Sequence, residues 1–169
     1  MMKKLTYEAF YPHPPERVWQ AITDPAALEQ WLMPSDFKPL IGFRFRFQGL
    51  GRGAKKAVKG HVIEAVEPRL LRYSWDDGEA GTPSVVTWTL RPKDGGTLVL
   101  LEHAAEPDLK PIVLIEANAN WRYLLRASLP QMLAMLGRMP VPIVYEAVAE
   151  EGEGTKSKAG FRQESACKP

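Results

Sequence analysis

Apolar residues recur along this chain first with a period of two and then with a period near 3.6. Lys4 to Tyr11 alternates, with Leu5, Tyr7, Ala9 and Tyr11 on one side, which predicts a strand. His13-Pro14-Pro15 breaks it, and Val18, Trp19 and Ile22 follow at helical spacing. Thr23-Asp24-Pro25 ends that helix and opens another, with Asp24 as N-cap, Pro25 as first residue, and Leu28, Trp31 and Leu32 as its buried edge. Met33 to Ile41 reads as loop, with room for a short strand near Phe37. Five strands are predicted after it: Gly42 to Gln48 with Phe43, Phe45 and Phe47 on one face, Val58 to Val66, Leu70 to Trp75, Ser84 to Arg91, and Thr97 to His103. Lys93-Asp94-Gly95-Gly96 is a strong hairpin signal. Gly49 to Lys56 holds three glycines and three basic residues, but no GK[ST] and no helix follows, so a hairpin loop is preferred to a phosphate cradle. Asp76 to Pro83 and Ala104 to Pro111 read as loops, and Ile112 to Ile115 as an ambiguous apolar run.

The period then changes. Ile115 to Arg138 is the longest helical pattern of the chain. At 100° per residue, Ala117, Trp121, Leu124, Leu125, Ser128, Leu129, Met132, Met135 and Leu136 share one face, and Arg122, Tyr123, Arg126 and Pro130 the other. A stripe this wide needs a broad surface, which a sheet curled around the helix supplies. Ser128 is polar within that stripe, so it must meet a neighbouring polar group or a space that holds water or ligand. The plan is therefore α+β: one antiparallel sheet of six to seven strands wrapped around a long C-terminal helix, with two short helices after the first strand. Such a sheet seldom closes fully on its helix, and the usual result is a pocket between them. Residues 1–139 form the domain; 140–169, proline-broken and then polar and Gly-rich, reads as an extended, partly disordered tail.

Composition narrows the function classes. The 169 residues are 45% hydrophobic and 25% charged, with a net charge of +2 and no dense basic run, so nucleic acid is not indicated. No apolar run approaches the ~20 residues of a membrane helix, and MMKKLTYEAF carries no apolar h-region. A membrane partner is therefore not expected, and a cytoplasmic location is. The single cysteine, Cys167, allows no intrachain disulfide and no cysteine metal cluster.

The segments YPHPPERVWQAITDPAALEQW, FRFRF after Gly42, GHVIEAVEPRLLRYSW, VVTWTL, GTLVLLEH and Trp121 in the last helix, taken in this order, resemble a known family. It is the bacterial single-domain relatives of the activator of Hsp90 ATPase homologue, within the START-like, SRPBCC, Bet v 1-like superfamily. The resemblance spans roughly Lys3 to Arg138. It implies the helix-grip fold and a cavity that takes apolar small molecules, without a universal catalytic residue or a cofactor. The chain departs from the family pattern at Phe43, at Leu98 and Leu100, at Asn118 and Asn120, and at Ser128. Leu98 and Leu100 leave apolar side chains on the outer face of the sheet, which makes that face a candidate homodimer surface unless the tail covers it.

Candidate chemistry is sparse. His13, in a turn, reads as solvent-exposed. His61 shares a strand face with Ile63 and Ala65, and His103 shares one with Val99 and Leu101. Each is either a core or rim histidine with one hydrogen bond, or a polar group that orients a ligand or moves a proton near neutral pH. Glu64 and Glu102 fall on the opposite sides of their strands, so no metal site is expected. There is no GxSxG elbow. The candidate ligand-lining set is His61, Ile63, Tyr73, Trp75, Trp88, Val99, His103, Trp121, Leu125, Ser128 and Met132, with no catalytic and no metal residue assigned. Three functions stay open: a non-catalytic binder of a hydrophobic small molecule or lipid; a polyketide cyclase- or aromatase-like enzyme using His61 or His103; and a module that contacts an Hsp90-type chaperone.

Overall fold

The computed structural model describes residues 3–48, 57–76, 78, 84–105 and 120–138. Several expectations fall outside these residues: the Gly49–Lys56 hairpin loop, most of the loop before Ser84, the apolar run Ile112–Ile115, the start of the long helix with Ala117 and Asn118, the tail, and Cys167.

The chain forms β1 (Lys3–Tyr11), α1 (Pro15–Thr23), α2 (Pro25–Trp31), β2 (Arg44–Phe47), β3 (Val58–Val66), β4 (Leu70–Trp75), β5 (Ser84–Lys93) and β6 (Gly96–Ala105). The C-terminal helix α3 (120–136) follows, made of helical residues 120–123, a π-helical turn Leu124–Ser128 and an α-helical part Leu129–Leu136. The six strands form one curved antiparallel sheet in the order β1-β6-β5-β4-β3-β2. This is the expected helix-grip plan with six strands. The stretch around Phe37 forms no strand; an isolated bridge pairs its Ser35 with Phe47 of β2.

Local chemistry explains the short helices. Pro15 fills the first position of α1, where a missing N–H is harmless. The Asp24 carboxylate accepts from the Ala26 amide at 2.9 Å, capping α2, and Pro25 follows it. Both helices bury one side: Val18, Trp19 and Ile22 from α1, and Leu28 and Trp31 from α2.

The tight turns lie at one rim of the sheet: Glu67 to Arg69 joins β3 to β4, and Asp94–Gly95 joins β5 to β6. Asp94 and Gly95 both take positive φ, 48° and 74°, as a two-residue hairpin turn with the twist of its strands requires. At the other rim, register brings together Phe47 with Val58, Trp75 with Ser84, and Lys3 with Ala105. The three longest connections between strands or into α3 leave from this second rim.

Two one-residue insertions correct the faces read from periodicity. In β3, Val62 pairs with Tyr73 but Glu64 with Arg72, so Ile63 is an extra residue in a bulge. Before the bulge the inner positions are Val58, Gly60 and Val62; after it the inner position is Ala65, opposite Leu71. His61 and Ile63 are therefore exposed on the outer face, and neither lines the core as expected. Gly60 hid the phase, because it puts no side chain inward. A Cβ there would lie 2.6 Å from Phe45 Cζ and overlap the Ser74 carbonyl oxygen, so the Phe45 ring occupies the room a side chain would need.

In α3, the Leu129 amide reaches back five residues to the Leu124 carbonyl. The widened turn rotates everything after it. Trp121, Leu125, Leu129, Met132 and Leu136 are buried as expected, but Leu133 joins them and Met135 is 57% exposed. Pro130 stands just beyond the turn and has no N–H, so it leaves the Leu125 carbonyl without a helical donor. The Tyr11 hydroxyl donates to that carbonyl at 2.6 Å, tying the end of β1 to α3. Pro130 is half-buried and not on a solvent face, whereas Arg122, Tyr123 and Arg126 are exposed as expected.

Candidate functional site

The inner face of the sheet carries a continuous wall of rings. Phe45 and Phe47 of β2, Tyr73 and Trp75 of β4, Trp88 of β5 and Trp121 of α3 contact one another, joined by Phe37 from the loop and Trp31 from α2. Centroid separations run from 4.9 Å for Phe37–Phe45 to 6.5 Å for Tyr73–Trp75, the range in which ring quadrupoles favour tilted and edge-to-face contact. Strand alternation makes the wall: Tyr73 and Trp75 are two residues apart, as are Phe45 and Phe47, so each pair points the same way. Trp75 is only half-buried and stands at the rim where Phe47, Ser84 and Ala105 meet.

His103 enters beside it from β6 and is 8% exposed. Both of its ring nitrogens are engaged. The Trp121 indole N–H, which can only donate, gives a hydrogen bond to Nδ1 at 3.0 Å. Nδ1 must therefore accept, which assigns the proton of the neutral ring to Nε2, 2.6 Å from Ser84 Oγ. The Ser84 hydroxyl in turn donates to the Trp75 carbonyl at 3.2 Å. The result is a directional chain: Trp121 N–H to His103, His103 N–H to Ser84, Ser84 O–H to the β4 backbone. It fixes the imidazole plane against α3, and ring contacts of 6.0 Å to Trp75 and 6.2 Å to Trp121 hold it from both sides. The arrangement orients the histidine and spends its hydrogen-bonding capacity on the protein itself.

The remaining candidates divide. Tyr73, Trp88, Val99, Trp121, Leu125 and Met132 are buried on the inner side of the sheet or on the buried face of α3. Ser128 is half-buried and donates to the Trp31 carbonyl at 2.7 Å, which satisfies the C-terminal end of α2; its partner is a polar backbone group. Tyr73 accepts from the Trp88 indole at 3.0 Å, and burial among the rings raises its pKa well above the ordinary tyrosine value. Burial raises that of Tyr11 likewise. His61, outside, contacts Ser74 Oγ through Nδ1 at 2.9 Å and through its own amide at 2.9 Å. His13 is half-buried and not exposed as expected; desolvation first and the Arg17 charge second lower its pKa.

Sequence reasoning missed Ser84, Phe37 and Trp31. Phe37 lies in a loop without periodicity, yet it is 1% exposed and touches Phe45, Phe47 and Tyr73. Ser84 begins a strand and shows its role only through register with Trp75. Among the described residues, no group of three or more His, Cys, Asp or Glu could hold a metal ion, and no helix is long and apolar enough to cross a membrane.

Comparison with known proteins agrees with this architecture. No curated protein sequence matches the chain. Among solved structures, a protein from Mesorhizobium loti is 30% identical, with a TM-score of 0.69 over 79% of this chain and 98% of its own. CalU16 from Micromonospora echinospora is 26% identical, with a TM-score of 0.63 over 79% of this chain and 75% of its own. The Aha1 dimer from Colwellia psychrerythraea shares the fold at 15% identity and a TM-score of 0.63, over 73% of this chain and 90% of its own. The family model described as activator of Hsp90 ATPase homolog 1-like protein matches residues 12–134, most of the sheet and nearly all of the last helix. The chain therefore belongs to the activator of Hsp90 ATPase homolog 1-like family and has its helix-grip fold.

Proposed function

We propose that this chain binds a hydrophobic small molecule or lipid between the sheet and α3, without catalysing a reaction on it. The observation that carries this reading is the ring wall ending in half-buried Trp75, beside a histidine with both nitrogens engaged within the protein. Aromatic walls with few polar groups supply affinity by burial and leave orientation to a small number of hydrogen bonds. The cyclase-like alternative requires two titratable groups converging inside. His61 and His103 were its candidates, and His61 lies on the outer face.

Native mass spectrometry of the protein purified from its own host tests the proposal. A retained small apolar molecule is the expected result. A bare chain mass, together with no response of tryptophan emission to apolar probes, would overturn it.

The same proposal places the protein in the cytoplasm, assigns the domain to 1–139 and pairs two copies through the outer face of the sheet. On that face Leu98 and Leu100 are half-buried and Phe10, opposite Leu98, is 47% exposed. The similar fold of a dimeric Aha1 protein supports the pairing. Contact with an Hsp90-type chaperone rests on the family description and is tested by direct binding to such a protein.

A further inference from the structure

We propose that the Tyr73 hydroxyl is the hydrogen-bond donor for a neutral acceptor atom, such as a ketone, ester or ether oxygen, on the ligand. This deepens the apolar-ligand reading and rests on it. Tyr73 is 2% exposed, and its oxygen accepts from Trp88 Nε1 at 3.0 Å. An indole N–H only donates, so that bond leaves the phenol's own hydrogen unspent. The hydrogen has no acceptor among the described residues.

Three other buried ring donors are spent. Tyr11 donates to the Leu125 carbonyl, Trp31 to the Ala21 carbonyl and Trp121 to His103. A buried donor left over in such surroundings is uncommon and points to a partner from outside the chain. Around the Tyr73 ring, centroid to centroid, stand the rings of Phe45 at 5.3 Å, Phe37 at 5.7 Å, Phe47 at 6.4 Å and Trp75 at 6.5 Å. That ring shell carries no formal charge, so it disfavours an anionic acceptor and accommodates a neutral one. The phenol cannot relieve its unspent hydrogen by ionising, because burial holds its pKa far above neutrality. The ligand class is therefore a flat, apolar, carbonyl- or ether-bearing molecule.

Two probes with the same outline test this: 9-fluorenone, which carries a carbonyl, and fluorene, which does not. Binding to the wild-type protein is read by tryptophan emission, and the carbonyl stretch of bound fluorenone by infrared difference spectroscopy. Fluorenone is expected to bind about three- to tenfold tighter than fluorene, the range of one neutral hydrogen bond. Its carbonyl stretch shifts below its value in an alkane solvent. Tyr73→Phe brings the fluorenone-to-fluorene affinity ratio to about one and removes the carbonyl shift. Equal affinities with an unshifted carbonyl in the wild type overturn the Tyr73 assignment and leave the apolar-ligand reading standing, including the case in which the phenol is satisfied by a buried water. Failure of fluorene as well as fluorenone to bind speaks against the apolar-ligand reading itself. Tyr73→Phe strands the Trp88 N–H. If it does not fold, the wild-type carbonyl shift decides, and Tyr73→Phe with Trp88→Phe removes the stranded donor.

Discussion

His103 shows how a single buried residue takes its state from its neighbours. The indole of Trp121 leaves its Nδ1 no role except acceptor. Nitrogen-detected NMR should therefore find His103 as the Nε2–H tautomer at neutral pH, and a spectrum showing Nδ1–H would refute the chain of donors. Ser84→Ala removes the acceptor of that Nε2–H while changing little volume. It should lower stability by about 1–3 kcal/mol, read from the urea midpoint, because a buried donor is left unsatisfied. The inward position of His103 was legible from its alternation with Val99 and Leu101. Its partners were not. Ser84 lies 19 residues away along the chain, and only the register of β5 against β6 brings it to the ring.

Periodicity located every described strand and helix, and it failed where one residue is inserted. The β3 bulge and the α3 π turn are the same event in two kinds of element: one extra residue rotates all later side chains. A reader of a single period carries His61 inward past the bulge and Met135 inward past the turn, and both lie outside. Neither insertion has a strong local signature. Gly60 and Pro130 mark them only in hindsight, one by leaving space for Phe45 and one by withholding an N–H. Two variants probe these devices. Gly60→Ala forces a Cβ into the Phe45 ring and the Ser74 carbonyl, and should lower stability by about 1–3 kcal/mol. A variant as stable as wild type would show that the β2–β3 edge gives way freely. Tyr11→Phe leaves the Leu125 carbonyl unpaired and should cost about 1–3 kcal/mol by itself. In a Pro130→Ala background, the restored amide can serve that carbonyl, so the same substitution should cost less. Equal costs in the two backgrounds would mean that Tyr11 acts by packing alone.

At the scale of the molecule, the two buried tyrosines make stability depend on alkaline pH. Burial raises both Tyr11 and Tyr73 above the unfolded value of about 10. The folded chain therefore keeps protons that the unfolded chain releases. Their contribution is fully present below about pH 10 and is lost as pH climbs past it. The urea midpoint should hold up to about pH 9 and fall by about pH 11, and tyrosinate absorbance from these two residues should appear together with unfolding. An unchanged midpoint at pH 11, or their early ionisation in a folded chain, would contradict this burial. The outer sheet face gives a second test at this scale. If copies pair there, Leu98→Lys with Leu100→Lys should convert a dimer to a monomer in sedimentation without shifting the fluorescence of the inner rings.

The two rims of the sheet differ in how freely they can change. Turns of two or three residues close one of them, and an added residue there would slip a strand by one position and turn its ring-bearing side outward. From the other rim, where Trp75 and His103 stand, depart stretches of 10 residues from β2 to β3, 8 from β4 to β5 and 14 from β6 to α3. The register of the six described strands is set by pairs outside those stretches. The length of chain at the aromatic end can thus change while the scaffold beneath keeps its register.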